Sequence, residues 1–220
     1  MAATSTGYCY VCGVELGKIA MKNHVQKIHG VDFSGQECRL LKIEGAYDKD
    51  YWLYIDIPME SALSDVDSFL RKIWLECCGH LSAFRSPGRS GHREIAMSCR
   101  ASYFAEGEKV VHEYDFGSTT ESLVTFMGSV FRKRQRGSVR LLARNAPSVY
   151  KCNICDSIAE YICQECIYTS DNPFYCERCS ETHVHQEMLR AVTNSPRMGE
   201  CGYEGELDTF TYVPKGKLKE

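Results

Sequence analysis

Eight of the chain's thirteen cysteines stand in four Cys-x-x-Cys pairs: Cys9/Cys12, Cys152/Cys155, Cys163/Cys166 and Cys176/Cys179. Two thiols at that spacing can close on one tetrahedral ion from a tight knuckle turn. In a reducing compartment such cysteine density points to metal rather than to disulfides. The remaining five, Cys38, Cys77, Cys78, Cys99 and Cys201, stand outside the pairs. Cys77 and Cys78 end an amphipathic run and read as core or half-buried thiols.

The first pair opens "CYVCGVELGKIAMKNHVQKIH", which spaces as Cys9-x2-Cys12-x11-His24-x4-His29. The pattern predicts a knuckle supplying two thiolates and a helix over 18–28 supplying two imidazoles from one face. Leu16 and Met21 stand where such a module buries its apolar residues, and Gly30 suits the helix end. The segment resembles the Cys2His2 zinc-finger family, although its central spacing is one residue shorter than the usual twelve. The resemblance implies one zinc on Cys9, Cys12, His24 and His29. It also implies contact with DNA or RNA through the helix residues Lys18, Lys22, Asn23 and Lys27. A single finger spans only about 3 base pairs, so a small folded cap is the alternative.

The other three pairs run Cys152-x2-Cys155-x7-Cys163-x2-Cys166-x9-Cys176-x2-Cys179-x3-His183-x-His185. Eight donors suit two tetrahedral zinc ions. A segment of about 35–40 residues cannot bury enough apolar surface to fold alone, so metal binding supplies its folding free energy. One zinc with a loose pair is the competing arrangement. Because His183 and His185 stand close together, Cys201 is a candidate replacement for one of them. The segment resembles the cross-braced B-box and ZZ fingers. That likeness implies that Cys152, Cys155, Cys176 and Cys179 share one ion, that Cys163, Cys166, His183 and His185 share the other, and that the module has a protein partner. Four protein donors per ion leave no open position for catalysis. The three zinc ions expected for the whole chain are therefore structural. Ile154, Ile158, Tyr161, Ile162, Ile167, Tyr168, Phe174 and Tyr175 supply a small shared core or an exposed binding face.

Between these modules the pattern is that of an α+β domain. "RLLKIEG", "YWLYIDIP", "EIAMSCRASY", "KVVHEYDF" and "SVRLLAR" read as strands, rich in β-branched and aromatic residues. "SALSDVDSFLRKIWLECCGH" reads as an amphipathic helix with Ser64 as N-cap and Gly79 as stop. "GSTTESLVTFMGSVFRKRQ" reads as a second helix, with Ser118 and Glu121 as a capping box and Leu123, Phe126, Met127, Val130 and Phe131 as its buried stripe. The stretch "LSDVDSFLRKIWLECCGHLSAF", followed by "HEYDFGSTTE" and "NSPRMGECGY", resembles the Ri-plasmid open-reading-frame family, a resolvase-like passenger of insertion elements. The likeness covers about residues 37–205 and implies a fold more than an activity. A DNA-processing enzyme would have to gather His80, His92, His112, Glu113, Tyr114 and Asp115, or use Ser86 or Ser90 as nucleophile. The plainer expectation is that Asp115 and Gly117 shape a turn.

The net charge is only −3, so polyanion binding has to come from a local patch. "FRKRQRGSVRLLAR" supplies one, with Arg132, Lys133, Arg134, Arg136 and Arg140 as candidate phosphate contacts. The opening residues carry neither a basic nor an apolar signal region. No apolar run reaches the about 18–20 residues that cross a bilayer, so a cytoplasmic chain without membrane contact is expected. The predicted organisation is a finger over 1–31, an α+β domain over 32–149, a double-zinc module over 150–190 and a tail over 191–220. The expected function is that of a non-enzymatic nucleic-acid or ribonucleoprotein binder, the ribosome being one such target. A protein-interaction adaptor is the first alternative and a mobile-element DNA-processing enzyme the second.

Overall fold

The computed structural model describes residues 5–87, 93–133 and 139–206. They divide into two compact units. Residues 5–70 and 81–146 make one, and Arg71–His80 joins 147–206 in the other. No helix among them is long and apolar enough to cross a membrane.

The first unit is a large antiparallel sheet. Its elements are β1 (Thr6–Cys9), β2 (Glu15–Gly17), α1 (Lys18–Ile28), β3 (Gln36–Gly45), β4 (Trp52–Pro58), α2 (Leu63–Leu70), β5 (Ser82–Arg85), β6 (Glu94–Ile95), β7 (Lys109–Tyr114), β8 (Thr120–Arg132) and β9 (Arg140–Asn145). Among the described residues nine strands lie in the order β2-β1-β9-β4-β3-β8-β7-β5-β6. The mixed α+β character expected from the sequence is present, with cysteine and histidine clusters forming small modules.

The expected second helix over 117–135 is instead, from Thr120 to Arg132, the long central strand β8, paired with β3 on one side and β7 on the other. Its apolar positions satisfy a helical stripe, but the burial follows period two. Thr120, Ser122, Val124 and Phe126 point inward in turn, and the alternation resumes at Val130 and Arg132 after a register shift opposite Arg39/Leu41. Four β-branched residues and two phenylalanines favour that pleated surface. Glu121 faces Glu113 across the ladder instead of capping a helix. The first expected helix is shortened: α2 ends at Leu70, and a π-helical turn covers Arg71–Leu75. Of "EIAMSCRASY" only β6 is extended, together with an isolated bridge from Arg100 to Ala62.

The finger is not a separate domain bounded at residue 31. β1 pairs with β9, and Cys9 faces Ala143. Met21 and Val25 of α1 are fully buried in one cluster with Cys9, Cys38, Leu40, Trp52, Tyr54, Val130, Leu142 and Ala143. A free finger buries its few apolar residues in a minimal core. Here they join the main core, which explains how a module this small gains packing.

The second unit contains β10 (Tyr161–Cys163), α3 (Cys166–Thr169), β11 (Phe174–Tyr175), α4 (Glu177–Ser180) and β12 (Leu189–Ala191). Its three strands run in the order β11-β10-β12. Two separate clusters of buried cysteines lie at its centre.

Candidate metal centres

Each donor set can be tested against the geometry that an ion would impose. With metal–sulfur distances of about 2.3 Å and metal–nitrogen distances of about 2.0–2.1 Å, a tetrahedral site places sulfurs about 3.8 Å apart, sulfur and nitrogen about 3.5 Å apart, and nitrogens about 3.3 Å apart. Four groups among the described residues bring four ligand atoms within 4.8 Å of one another and could hold a metal ion.

In the finger, β1 ends at Cys9 and a turn through Gly13 (φ 82°) brings Cys12 back beside it. The Cys9 amide donates to Val14 O at 2.9 Å and the Gly13 amide to Cys9 O at 2.7 Å. α1 then carries His24 near its end and His29 as its C-cap, which places both imidazoles over the knuckle. Cys12 Sγ lies 3.2 Å from His24 Nε2, and the Nε2 atoms of His24 and His29 are 3.1 Å apart. Burial pushes the Cys9 thiol up, which is the penalty that a bound cation offsets.

The second unit holds Cys152, Cys155, Cys176 and Cys179 in one group and Cys163, Cys166, His183 and His185 in another. This interleaving is the one implied by the cross-braced fingers. Cys155 Sγ lies 3.6 Å from both Cys176 Sγ and Cys179 Sγ. Asp156 takes a left-handed conformation (φ 57°) to close the knuckle, and the Ile154 amide donates to Cys152 Sγ at 3.4 Å. The Ser157 hydroxyl and amide pull Cys155 down to about 6, while burial and the neighbouring thiols push Cys179 up to about 12. A cation at the centre of the group would offset the charge of its thiolates.

In the other group, β10 delivers Cys163 and the first residue of α3 is Cys166, whose amide donates to Cys163 Sγ at 3.5 Å. His183 Nε2 stands 3.5 Å from Cys166 Sγ. His185 presents Nδ1 at 4.0 Å from Cys163 and 3.9 Å from Cys166, so it is the loosest donor. Opposite ring nitrogens let two histidines only two residues apart reach one point. Burial and the neighbouring His185 hold His183 below the usual imidazole range, favouring the neutral, ligating form. The Tyr175 hydroxyl donates to Cys166 Sγ at 3.5 Å, and its ring lies 4.1 Å from that of His183.

The fourth group was missed in the sequence: Cys77, Cys78, His80 and Cys201, all in the second unit. Cys201 is thus placed with these three and not with His183 and His185. The overlooked signal was "CCGH", three donor residues and a glycine in four positions, with a single partner far along the chain.

The candidate phosphate contacts fare differently. Lys18 Nζ is 2.9 Å from Glu44 Oε1 and also donates to Lys49 O at 2.7 Å. Arg132 is 2% exposed, and its Nε lies 2.8 Å from Asp56 Oδ1 and donates to Cys38 Sγ at 3.3 Å. Arg140 donates through Nε to Asp56 Oδ2 at 2.9 Å. Asp56 is fully buried; burial pushes its carboxyl up against the pull of both arginines. These three cations therefore serve the fold, because a buried carboxylate must be matched by adjacent positive charge. Lys27 and Lys133 are exposed and Lys22 is half-buried. Arg134 and Arg136 lie outside the described residues.

Among the described residues of the first unit, the candidate catalytic groups form no nucleophile relay. His112 is fully buried and its Nε2 lies 2.8 Å from Asp67 Oδ1, an atom that also accepts from Ser82 Oγ at 2.6 Å. Both side chains bond the carboxylate, so histidine does not stand between serine and acid as a nucleophile relay requires. Asp115 Oδ1 accepts the Gly117 amide at 3.0 Å in a turn where Asp115 has φ 64°. His92 and Ser90 lie outside the described residues.

No family model matches this chain, and no curated protein matches it. Among solved structures, a protein of unknown function from Methanosarcina mazei Go1 is similar, with a TM-score of 0.42 and 16% identity over 50% of this chain and 70% of that one.

Proposed function

We propose that the chain is a zinc-organised, non-catalytic binding protein whose metal modules present apolar side chains to a protein partner. The supporting observation is where apolar surface is exposed. Of fourteen exposed large hydrophobic residues among those described, five lie between Val14 and Phe33 and five between Val149 and Val184, so ten lie in or beside the metal-bearing segments. In the double-cysteine module, Ile154 is 64% exposed, Tyr168 80% and Val184 81%. A metal-centred core needs few apolar residues of its own. Those it leaves outside, including an aromatic, are of the type that anchors protein interfaces. Zinc fits the donor sets of two or four thiols completed by imidazole. With four protein donors at each ion, its contribution would be folding free energy.

The nucleic-acid reading is weakened in proportion. Of its eight named cations, Lys18, Arg132 and Arg140 are engaged in internal ion pairs, which leaves Lys22, Lys27 and Lys133 among the described residues. A photo-crosslinking amino acid at position 168 or 184 of the full chain, in the producing cell, would trap the partner for identification. Calorimetry with that purified partner should then show saturable binding, weakened at least about tenfold in Ile154→Ser/Tyr168→Ser/Val184→Ser at unchanged zinc content. Co-purifying nucleic acid that salt releases, and that Lys22→Glu/Lys27→Glu/Lys133→Glu abolishes, would instead establish the nucleic-acid reading.

A further inference from the structure

We propose that Cys77, Cys78, His80 and Cys201 form a fourth metal centre, a closed three-sulfur, one-nitrogen site for a zinc-class divalent ion. It would staple the turn at 77–80 to the loop at 195–203.

The distances match that chemistry. Cys78 Sγ lies 3.8 Å from Cys201 Sγ, and Cys201 Sγ lies 3.5 Å from His80 Nε2. These are the tetrahedral edges of about 3.8 and about 3.5 Å expected around one ion. A disulfide would need the sulfurs at about 2.05 Å. The partners are 123 residues apart in sequence, so their meeting is not a by-product of local turn geometry.

The backbone is held for this meeting on both sides. Gly79 has φ +71°, and a Cβ there would meet nothing within 4 Å. The glycine is therefore needed for its left-handed conformation, not for space. It lets Cys78 and His80 face the same point. Glu76 accepts the Gly79 amide at 2.7 Å, while Arg71 bridges Glu76 and the His80 carbonyl. Cys201 itself has φ +50°, a conformation that L-residues avoid unless their surroundings enforce it. Gln164 Nε2 donates to Gly199 O at 2.9 Å and to Cys201 O at 2.7 Å, and Arg190 Nε to Cys201 O at 3.3 Å. Ser195 Oγ donates to Trp74 O at 2.6 Å and accepts the Arg197 amide at 2.9 Å, tying the loop to the π-helical turn that precedes Cys77.

Charge gives an independent indication. Arg197 is fully buried, and its Nη2 donates to Cys77 Sγ at 3.4 Å. Three thiolates around one divalent ion carry a net charge of −1. A buried guanidinium at the ligand sulfur offsets that charge and orients the ligand.

Exposure makes the proposal testable on the unmodified chain. Cys78 is exposed, so burial does not shield it from a thiol reagent. The full chain would be prepared with zinc under reducing conditions and treated with N-ethylmaleimide, with labelling at each cysteine followed by peptide mass spectrometry. Cys78 should react at least about tenfold more slowly than after chelator treatment, and native mass spectrometry should count four zinc ions. Cys78→Ser/Cys201→Ser should hold three. Equal Cys78 reactivity with and without chelator, three zinc ions in the unmodified chain, or four in the double variant would each overturn the proposal. A disulfide-linked Cys78–Cys201 peptide from the zinc-loaded sample would overturn it in favour of a redox pair. None of these readouts depends on partner binding.

Discussion

Replacing Asp56 by alanine tests whether the arginines beside it belong to the fold or to a ligand. Asp56 is fully buried, Arg132 is 2% exposed, and the Arg140 side chain is 18% exposed. Removing the carboxylate leaves the buried Arg132 guanidinium without its counter-charge. Breaking a buried pair in this way costs about 3–5 kcal/mol, far more than the pair's net worth over apolar packing. Arg140 can turn toward water and adds at most about 1 kcal/mol. Against a typical total of about 5–15 kcal/mol, the loss is large. With a urea dependence of about 2 kcal/mol per molar, the midpoint should fall by about 1.5–2.5 M. Trp52 lies in the large sheet and Trp74 in the other unit, so Trp74→Phe makes fluorescence report on the sheet alone and avoids averaging two transitions. Asp56→Leu combined with Arg132→Met should recover most of the loss. A shift below about 0.3 M for Asp56→Ala would refute the reasoning. Arg132 would then not depend on this carboxylate, and its place among the polyanion contacts would be restored.

Gly7→Ala should destabilise the finger strand by about 1–3 kcal/mol in thermal melts, because its Cβ would stand 2.2 Å from Arg144 O and 2.5 Å from the Trp52 ring; an unchanged melting point would contradict that close approach. Burial alone would raise Glu44, but Lys42 and Lys18 hold its carboxyl below the ordinary 4.5. A depressed carboxylate contributes stability above its unfolded value and loses it as pH falls through the folded one. Glu44→Gln should therefore be less stable than the unmodified chain at pH 7, and urea midpoints should show the gap closing below about pH 4.5, metal loss in acid affecting both proteins alike. Chelation at neutral pH should abolish amide dispersion for residues 150–190 in NMR spectra, and added zinc should restore it; dispersion that survives full metal removal would mean that apolar packing suffices. Lys22→Glu/Lys27→Glu should change stability by less than about 0.5 kcal/mol, as measured by urea unfolding.

The metal donors were the most legible part of the chain because a short chelating spacing is a local property. Cys9 with Cys12, and each pair from Cys152 onward, could be read without knowing the fold. α1 was legible for the same reason, since its two histidines and its buried Met21 and Val25 share one helical period. β8 was not, because its half-buried face carries apolar residues as well as its buried one, and Leu123 and Met127 together with Phe126 and Val130 then mimic a helix. Arg132 and Arg140 looked like surface charge because Asp56, the residue that engages them, is more than seventy positions away. Cys201 was equally opaque. Its partners come from a turn 121–124 positions earlier, and no periodicity spans such a gap.

The interleaving of the two units also sets an order of events during synthesis. The chain leaves the sheet unit at Leu70, deposits Arg71–His80 in the other, and returns at Leu81. At about 5–20 residues per second, the turn carrying Cys77 and Cys78 emerges roughly 6–25 s before Cys201 is made. Through that interval Cys77, Cys78 and Trp74 await the residues that complete their unit. A nascent chain with this topology has two candidate metal-binding sulfurs exposed in mid-translation, when a transient zinc donor or a chaperone would make the greatest difference to its yield.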